Sequence, residues 1–464
     1  MASSLKISDS FGLRSSFMGD SKSMSIETRI GRRQAIIGPV RRWRLTELSL
    51  LLLPLLFLFL GLALLGRTRP DSLDESHLLG AAAVVAALLA VHAVLIWKCP
   101  RADQMLMPIA VMMASIGLVM VARLSPDLAS RQFVWIVIGC GLMIATVILL
   151  PDVSVLQSYK YTAAALGILL VAATFLLGKD PNNSGVRSWF GYGGVYFQPS
   201  EILKVLLVIF LAGYLEDKRE LLSWSSSRLG RLRFPPLPYL GPMVVMWAIS
   251  MMLLVGQRDI GAALLFFCIF LAMLYVASSR SAYLWGGLAS FMAGSYVCYL
   301  LFPVVRLRVE VWLDPWSRAL EQGYQVVQAL VALASGGILG SGIGYGHPGY
   351  IPAVSTDFII AAIGEEMGLA GSLAVVALFM LIVYRGFRIA LGGRREFSVL
   401  LAAGLTAVLG IQAVVILAGT TKLIPLTGIT LPFISYGGSS IVTNFIILGL
   451  LVRISQEGGA TDAA

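Results

Sequence analysis

The sequence predicts an all-α, polytopic integral membrane protein of about twelve transmembrane helices with one large extracytoplasmic loop, and three observations carry that prediction. Of its 464 residues 58% are hydrophobic and only 13% charged, with a mean hydropathy of +0.84, well beyond what the core of a soluble domain requires. The apolar residues gather into twelve runs of roughly 20 residues, the length that crosses about 30 Å of hydrocarbon. Lys and Arg are unequally shared between alternate loops. With the N-terminus inside, 23 of the 35 fall in the tails and inner loops, 11 outside and one within a span. The excess of positive charge on one side places both termini in the cytoplasm.

Residues 1–46 are Ser-rich and basic without an apolar core, and read as a disordered cytoplasmic tail whose RRWR at 41–44 sits at the headgroups. No cleavable signal peptide is expected, because the first apolar run starts late, is too long and lacks a small-residue cleavage site. Spans 47–66 and 78–97 are almost purely apolar and form an accessory pair within 47–104. Their one exception, His92, reads as a packed or hydrogen-bonded histidine. Spans 105–122, 133–150 and 161–178 follow on short loops. The segment 179–198, KDPNNSGVRSWFGYGGVYFQ, lies outside, and Pro199, Ser200 and Glu201 then open span 199–215 with residues that suit a first helical turn. The inner segment 216–238 carries Lys218, Arg219, Arg228, Arg231 and Arg233 and precedes spans 239–255, 260–277 and 283–302. The outer loop 303–357 is too long for a mere connection. Within it GYQVVQALVALASGG has the apolar content of a short helix on or in the outer leaflet. GGILGSGIGYGHPG, with seven glycines in fourteen residues, forms a pliable wall instead; neither a preceding strand nor a following helix supports a dinucleotide loop there. Spans 358–384, 399–419 and 433–452 complete the bundle before a short inner tail, 456–464. Cys99, Cys140, Cys268 and Cys298 lie in or beside spans and read as packing residues, with no disulfide framework or zinc spacing. The net charge of +10 is spread over short loops, which speaks for membrane orientation and lipid headgroups and against nucleic acid.

Polar residues at the outer edge of the spans need an explanation, since a charge at mid-bilayer costs about 2.5–3.5 kcal/mol even on the lenient scale. Glu201 and Lys204 are three residues apart on one helical face. They form either an intrahelical ion pair or a cation held below the headgroups to meet a lipid-linked phosphate, with Arg187 above it as a bidentate clamp. Asp259 starts a span, as a helix cap, an ion-pair partner or a site residue. Arg306 and Arg308 precede Trp312, Asp314 and Trp316, aromatics suited to the interface or to stacking on sugars. Gln325 and Gln328 suit recognition of amides and hydroxyls, or a solvated loop. Asp357 begins another span, yet Ser355 and Thr356 offer hydroxyls for capping and leave its carboxylate freer. On a helix Glu365 can share a cleft with Asp357, whereas Glu366 points away and reads as a packing partner. The absence of a clear internal repeat weakens a transporter reading.

LIPLTGITLPFISYGGSSIVTN at 423–444 closely resembles the FtsW/RodA/SpoVE family of cell-wall polymerases. The resemblance extends to RSWFGYGGVYFQPSE at 187–201, QRDIG at 257–261, WLDPW with GYQVVQ, and STDFIIAAIGEEMGLAG at 355–371. It covers roughly 105–455, a ten-span core, with the motifs in family order and on one side. It implies a peptidoglycan glycosyltransferase that joins lipid II units into β-1,4 glycan with release of undecaprenyl pyrophosphate, outside the cytoplasmic membrane of a bacterium. The implied partners are a class B penicillin-binding transpeptidase and other division or elongation proteins. By the same resemblance Asp357 matches the essential outer-loop aspartate, and Arg187, Lys204, Gln328 and Asp259 match polar residues of the family's central cavity; Glu201 and Gln325 join them as candidate substrate contacts. No organic cofactor is implied, and a divalent cation, Mg or Mn, would be shared with the substrate pyrophosphate because lone aspartates do not build a tight all-protein site. Ser355 stands where the family commonly has histidine, Ile416 where it has asparagine, and Asp259-Ile260-Gly261 replaces Asp-Leu-Gly. The two extra N-terminal spans and the LIPLTG variant are similar to a known subgroup. A lipid II flippase or a non-catalytic scaffold is the competing expectation.

Overall fold

The computed structural model describes residues 44–69, 74–180, 188–192, 195–224, 227–229, 232–234, 237–257 and 259–458. The predicted tail up to residue 43, and Arg187, lie outside these residues. Every predicted span is a helix: α1 (Leu45–Thr68), α2 (Glu75–Lys98), α3 (Leu106–Leu124), α4 (Pro126–Leu149), α5 (Lys160–Leu177), α6 (Pro199–Trp224), α7 (Leu237–Gly256), α8 (Ile260–Ser278) and α9 (Ser281–Leu301). The long segment 303–357 contributes two shorter helices, α10 (Pro303–Leu313) and α11 (Tyr324–Ser335), ahead of α12 (Ile359–Leu391), α13 (Glu396–Thr420) and α14 (Gly438–Gly458). Among the described residues ten of these helices are long and apolar enough to cross a membrane. Two small antiparallel hairpins, β1 (Phe190–Tyr192) with β2 (Val195–Phe197) and β3 (Ser227–Leu229) with β4 (Leu232–Phe234), occupy loops in which no strand was expected.

Burial sorts the helices into layers. The membrane windows of α3 and α14 are 89% buried, whereas none of that of α9 is, so α3 and α14 form the centre and α9 presents its apolar faces outward. Helix α4 starts seven residues before the predicted boundary. Pro126 takes the first helical position, where its missing N–H costs nothing, and Asp127 meets the positive end of the helix dipole. The accessory pair α1–α2 packs on α3 and α4 and is held by a charged cluster. Arg44 and Glu47 form a buried ion pair, Arg44 donates to the carbonyls of Cys99, Ala102 and Asp103, and His92 Nδ1 lies 2.7 Å from Glu47 Oε1. The hydrogen-bonded role expected for His92 is the one it has.

The predicted single span 358–384 is in fact broken. Gly368 has φ 69° and ψ −168° inside α12, a conformation open in practice to glycine alone. The polar backbone released by the break is satisfied by the Gly-rich wall after α11. Leu369 N–H donates to Gly337 O and Ala370 N–H to Ile338 O, while Ser341 and Gly342 donate to the carbonyls of Glu365 and Glu366. Non-helical backbone is tolerated at membrane depth when it is paired in this way. A Cβ on Gly340 would stand 2.3 Å from Glu366 O, so these glycines serve close approach as much as pliability. The glutamate side chains finish the joint. Glu366 pairs with Arg123 at 3.0 Å and accepts from Gly344 N–H at 3.0 Å, and Glu365 accepts from His347 N–H at 2.7 Å. Glu366 is thus a packing partner as expected. Glu365 turns to the wall and does not share a cleft with Asp357, because the chain passes the helix at this point.

The centre of the bundle leaves equally little room. Gly117 of α3 lies against the 434 carbonyl, and a Cβ there would come within 2.3 Å of Ile434 O. Gly117→Ala is expected to destabilise the fold by about 1–3 kcal/mol through overpacking, read as a lower thermal midpoint of the detergent-solubilised protein.

Candidate functional site

The site is assembled from chain segments far apart in sequence. The loop 351–358 carries Asp357, whose backbone N–H donates to Ala353 O at 3.0 Å. Ala353 adopts φ 53°, a left-handed turn that costs a non-glycine residue about 1 kcal/mol and bends the loop back on itself. The turn is locked by PFISYGG, 432–438. Ser435 Oγ donates to Thr356 O at 2.5 Å and accepts from Leu431 N–H at 3.0 Å, Tyr436 N–H donates to Ser355 O at 2.9 Å, and Gln132 of α4 donates to Ser435 O at 3.2 Å. Ser355 and Ser435 are both buried, so this clamp works away from competing water.

Phe358 is the N-cap residue of α12, and no side chain caps that end. The capping role open to Asp357 is therefore not taken up. Its carboxylate lines a cavity of about 210 Å³ together with Arg308, Trp312, Gln322, Gln325, Lys422 and Gly428. Asp357 keeps a partial opening to this cavity, while its surroundings strip away most of its hydration. Burial pushes its carboxyl up to about 6, against the opposing pull of the Thr356 hydroxyl and the Arg308 guanidinium. Arg308 feels the charge of two acids. Burial lowers its value, and the negative charges of Asp259 and Asp357 oppose that shift.

The other expected site residues separate into groups. Gln325 lines the cavity with Asp357. Gln328, nearly one turn further along α11, is half-buried and is not among the lining residues. Lys204 is 1% exposed and realises the ion-pair alternative: Nζ lies 2.6 Å from Glu201 Oε2 and 2.9 Å from Gln412 Oε1. Gln412 in turn donates to Thr430 O at 2.8 Å, so the pair is braced from α13 and from the segment leading to the clamp. Asp259 caps α8 by accepting from Ala262 N–H at 3.0 Å and also accepts from Gln198 at 3.2 Å. Burial raises its carboxyl above the ordinary range, and nearby Glu201 adds to that rise. Trp312 Nε1 donates to Lys422 O at 3.0 Å, and Asp314 accepts from the Trp316 and Ser317 N–H groups as a turn cap. Lys422 and Gln412 escaped the sequence reading, which named Arg308 only alongside the interfacial aromatics. For Arg308 the signal was present: it lies four residues before Trp312 and so shares its helical face.

Beside this polar cavity lies an apolar one of about 410 Å³, lined among others by Leu333, Ile360, Leu373, Val414 and Leu417. Thr421 and Leu423 line the apolar cavity and Lys422 between them lines the polar one, so the two share one stretch of backbone.

Comparison with known proteins gives a consistent result. The FtsW/RodA/SpoVE family model, described as "Cell cycle protein", matches residues 103–459, which leaves α1 and α2 outside the matched region. The peptidoglycan glycosyltransferase RodA of Mycobacterium tuberculosis (strain ATCC 25618 / H37Rv) is 36% identical over 441 residues, covering 92% of this chain and 94% of its own. The probable peptidoglycan glycosyltransferase FtsW of Geobacter metallireducens is 31% identical over 370 residues, covering 77% and 95%. Among solved structures, a chain from work on the structural coordination of polymerization and crosslinking by a peptidoglycan synthase complex aligns with a TM-score of 0.63 at 28% identity, over 77% of this chain and 98% of that one. The rod shape determining protein RodA of Thermus thermophilus aligns with a TM-score of 0.55 at 26% identity, over 77% and 97%.

Ser435→Ala removes the donor to Thr356 O and strands the Leu431 N–H in a buried site. The expected loss is about 1–3 kcal/mol, measured as a shift in the denaturant midpoint of the purified protein, while the conservative Ser435→Thr restores most of it.

Proposed function

The chain belongs to the FtsW/RodA/SpoVE cell cycle protein family, and from that premise we propose how its outer-end cavity performs the family's chemistry. The protein is a peptidoglycan glycosyltransferase and a multi-pass membrane protein. Our reading is that it polymerises lipid II on the outer face of a bacterial cytoplasmic membrane, with both termini inside. The observation that carries this reading is an uncapped, half-buried Asp357 held by a backbone clamp at the rim of a polar cavity. The apolar cavity beside it adds support, because a polar and an apolar chamber sharing residues 421–423 suit a ligand with a polar head and a long hydrocarbon tail.

In the proposed step ionised Asp357 accepts the proton of the acceptor's GlcNAc 4-hydroxyl. The hydroxyl oxygen forms its bond to the anomeric carbon of the donor as the bond from that carbon to the phosphate oxygen breaks. The electron pair leaves with undecaprenyl pyrophosphate, and the α-linkage becomes a β-1,4 linkage by inversion. General-base help of this kind is worth about 10²–10⁴ in rate. Burial matters here, since a carboxylate with a raised pKa is a stronger base than one in water. Gln325 in the cavity wall is placed for amide and hydroxyl recognition. Lys204 and Glu201, paired with each other, act as a buried brace to the wall, and Arg187 remains a candidate for the headgroup. Asp259 enters through Arg308, which it helps to hold charged beside Asp357. Gln328 and Gln325 lie on the same helix.

The residues around Asp357 fit a divalent cation poorly. One carboxylate shares its cavity with Arg308 and Lys422, whereas hard cations take six or more oxygens. A shared Mg or Mn would depend on oxygens brought by the substrate, and no step here runs through one. The likeness to a chain from a peptidoglycan synthase complex supports a penicillin-binding protein as partner, which we propose to be of class B, working with other division or elongation proteins.

A flippase or a scaffold would use the same groove without Asp357 chemistry. With purified protein and lipid II, Asp357→Asn is expected to stay folded and make no glycan; retained polymerisation favours the scaffold. The wild-type profile should show a basic requirement near pH 6. Below that value the carboxyl is protonated and cannot accept a proton, so kcat/KM falls about tenfold per pH unit, and a profile flat from pH 7 to 5 contradicts the assignment.

A further inference from the structure

We propose that Lys422 is a substrate-contacting cation, an ammonium in the Asp357 cavity that receives the anionic diphosphate of the polyprenyl-linked sugar. The inference rests on the polymerase reading and goes further by naming a residue for the leaving group. Three observations point to it.

The first is the distribution of charge at this end of the molecule. Lys204 is committed to Glu201, Arg123 to Glu366, Arg318 to Glu310, and Arg306 sits over the Tyr299 ring. Arg308 lies in the field of both Asp259 and Asp357. Lys422 lines the cavity and has no carboxylate partner among the described residues. A cavity lined by one acid and two cations carries a surplus positive charge, which suits an arriving anion and leaves the acid able to work as a base.

The second is the backbone. Lys422 adopts φ 62° just beyond the C-terminus of α13, where Lys422 N–H donates to Gly419 O. Helices that end in this left-handed conformation favour glycine there, and a side chain at such a position costs about 1 kcal/mol. A residue held in a disfavoured conformation at a cavity wall signals a task for its side chain. Trp312 of α10, which donates to Lys422 O, fixes the turn.

The third is position. The neighbours Thr421 and Leu423 line the apolar cavity, so Lys422 sits where a polar head passes into a hydrocarbon tail. A diphosphate ester of a long alcohol has its charge at that junction. An anionic lipid headgroup carries the same phosphate chemistry, and the experiment separates the two.

The test compares wild type, Lys422→Gly, Lys422→Asn and Lys422→Arg in detergent free of anionic lipid, measuring lipid II polymerisation and its inhibition by inorganic pyrophosphate. Glycine and asparagine both accept the left-handed turn, so their thermal midpoints should equal or exceed that of wild type. Even so, both should lose roughly tenfold or more in kcat/KM and a similar factor in sensitivity to pyrophosphate, and arginine should recover most of each. Glycine and asparagine variants with wild-type kcat/KM and unchanged pyrophosphate inhibition overturn the proposal. So does a defect confined to vesicles containing phosphatidylglycerol, which assigns Lys422 to lipid headgroups. A wild-type protein that makes no glycan, yet is heat-stabilised by pyrophosphate only when Lys422 is present, keeps the anion site and removes the polymerase reading instead.

Discussion

The site depends on a backbone clamp: Ser435 Oγ on Thr356 O and Tyr436 N–H on Ser355 O. Asp357 sits on a loop between a short helix and a membrane span, and a loop of that kind would ordinarily leave its carboxylate without a fixed direction. Two hydrogen bonds to the two residues before it, one buried donor bracing Ser435, and a left-handed turn at Ala353 remove that freedom. The clamp itself is carried by α3 and α4, through Gly117 against Ile434 O and Gln132 on Ser435 O. The central helices therefore aim a side chain that none of them contains.

Elsewhere in the bundle most buried carboxylates have a cationic partner. A buried charge is tolerable when it is paired and hydrogen-bonded; Glu47, Glu201 and Glu366 each have a cationic partner, and Glu365 accepts from the His347 N–H. Asp259 has the end of a helix and Gln198. What lines the cavity is one acid, Asp357, and two cations, Arg308 and Lys422. The broken α12 belongs to the same arrangement: its exposed carbonyls and amides are taken up by the Gly-rich wall, which lets irregular backbone pack on the bundle with these polar groups paired.

Much of the fold was legible in the sequence, because the requirement for an apolar run long enough to span hydrocarbon leaves a strong local signal. The helices at all twelve predicted spans follow from it, while the short α11 and the non-helical wall were read from their apolar and glycine content. The break at Gly368 did not, since its cause is a hydrogen-bonded partner some thirty residues earlier in the chain and a single glycine within an apolar run carries little information. The site divides in the same way. Asp357 was found through its motif, and the pairing of Glu201 with Lys204 through helical spacing, but spacing could not decide between a brace and a ligand. In the structure the pair is also joined by Gln412, about two hundred residues away. Arg308 and Lys422 meet Asp357 only through the tertiary fold, and residues that converge in this way leave no period to read.

The central claim is that the side chain at 357 opens on the outer cavity and is held there by the clamp. It is tested most directly by cysteine accessibility. With Cys99, Cys140, Cys268 and Cys298 replaced, a cysteine introduced by Asp357→Cys should react in intact cells with a membrane-impermeant maleimide, and pre-incubation with inorganic pyrophosphate should slow the reaction. Labelling that appears only after the membrane is permeabilised, or no labelling of the folded protein under any condition, would contradict the account.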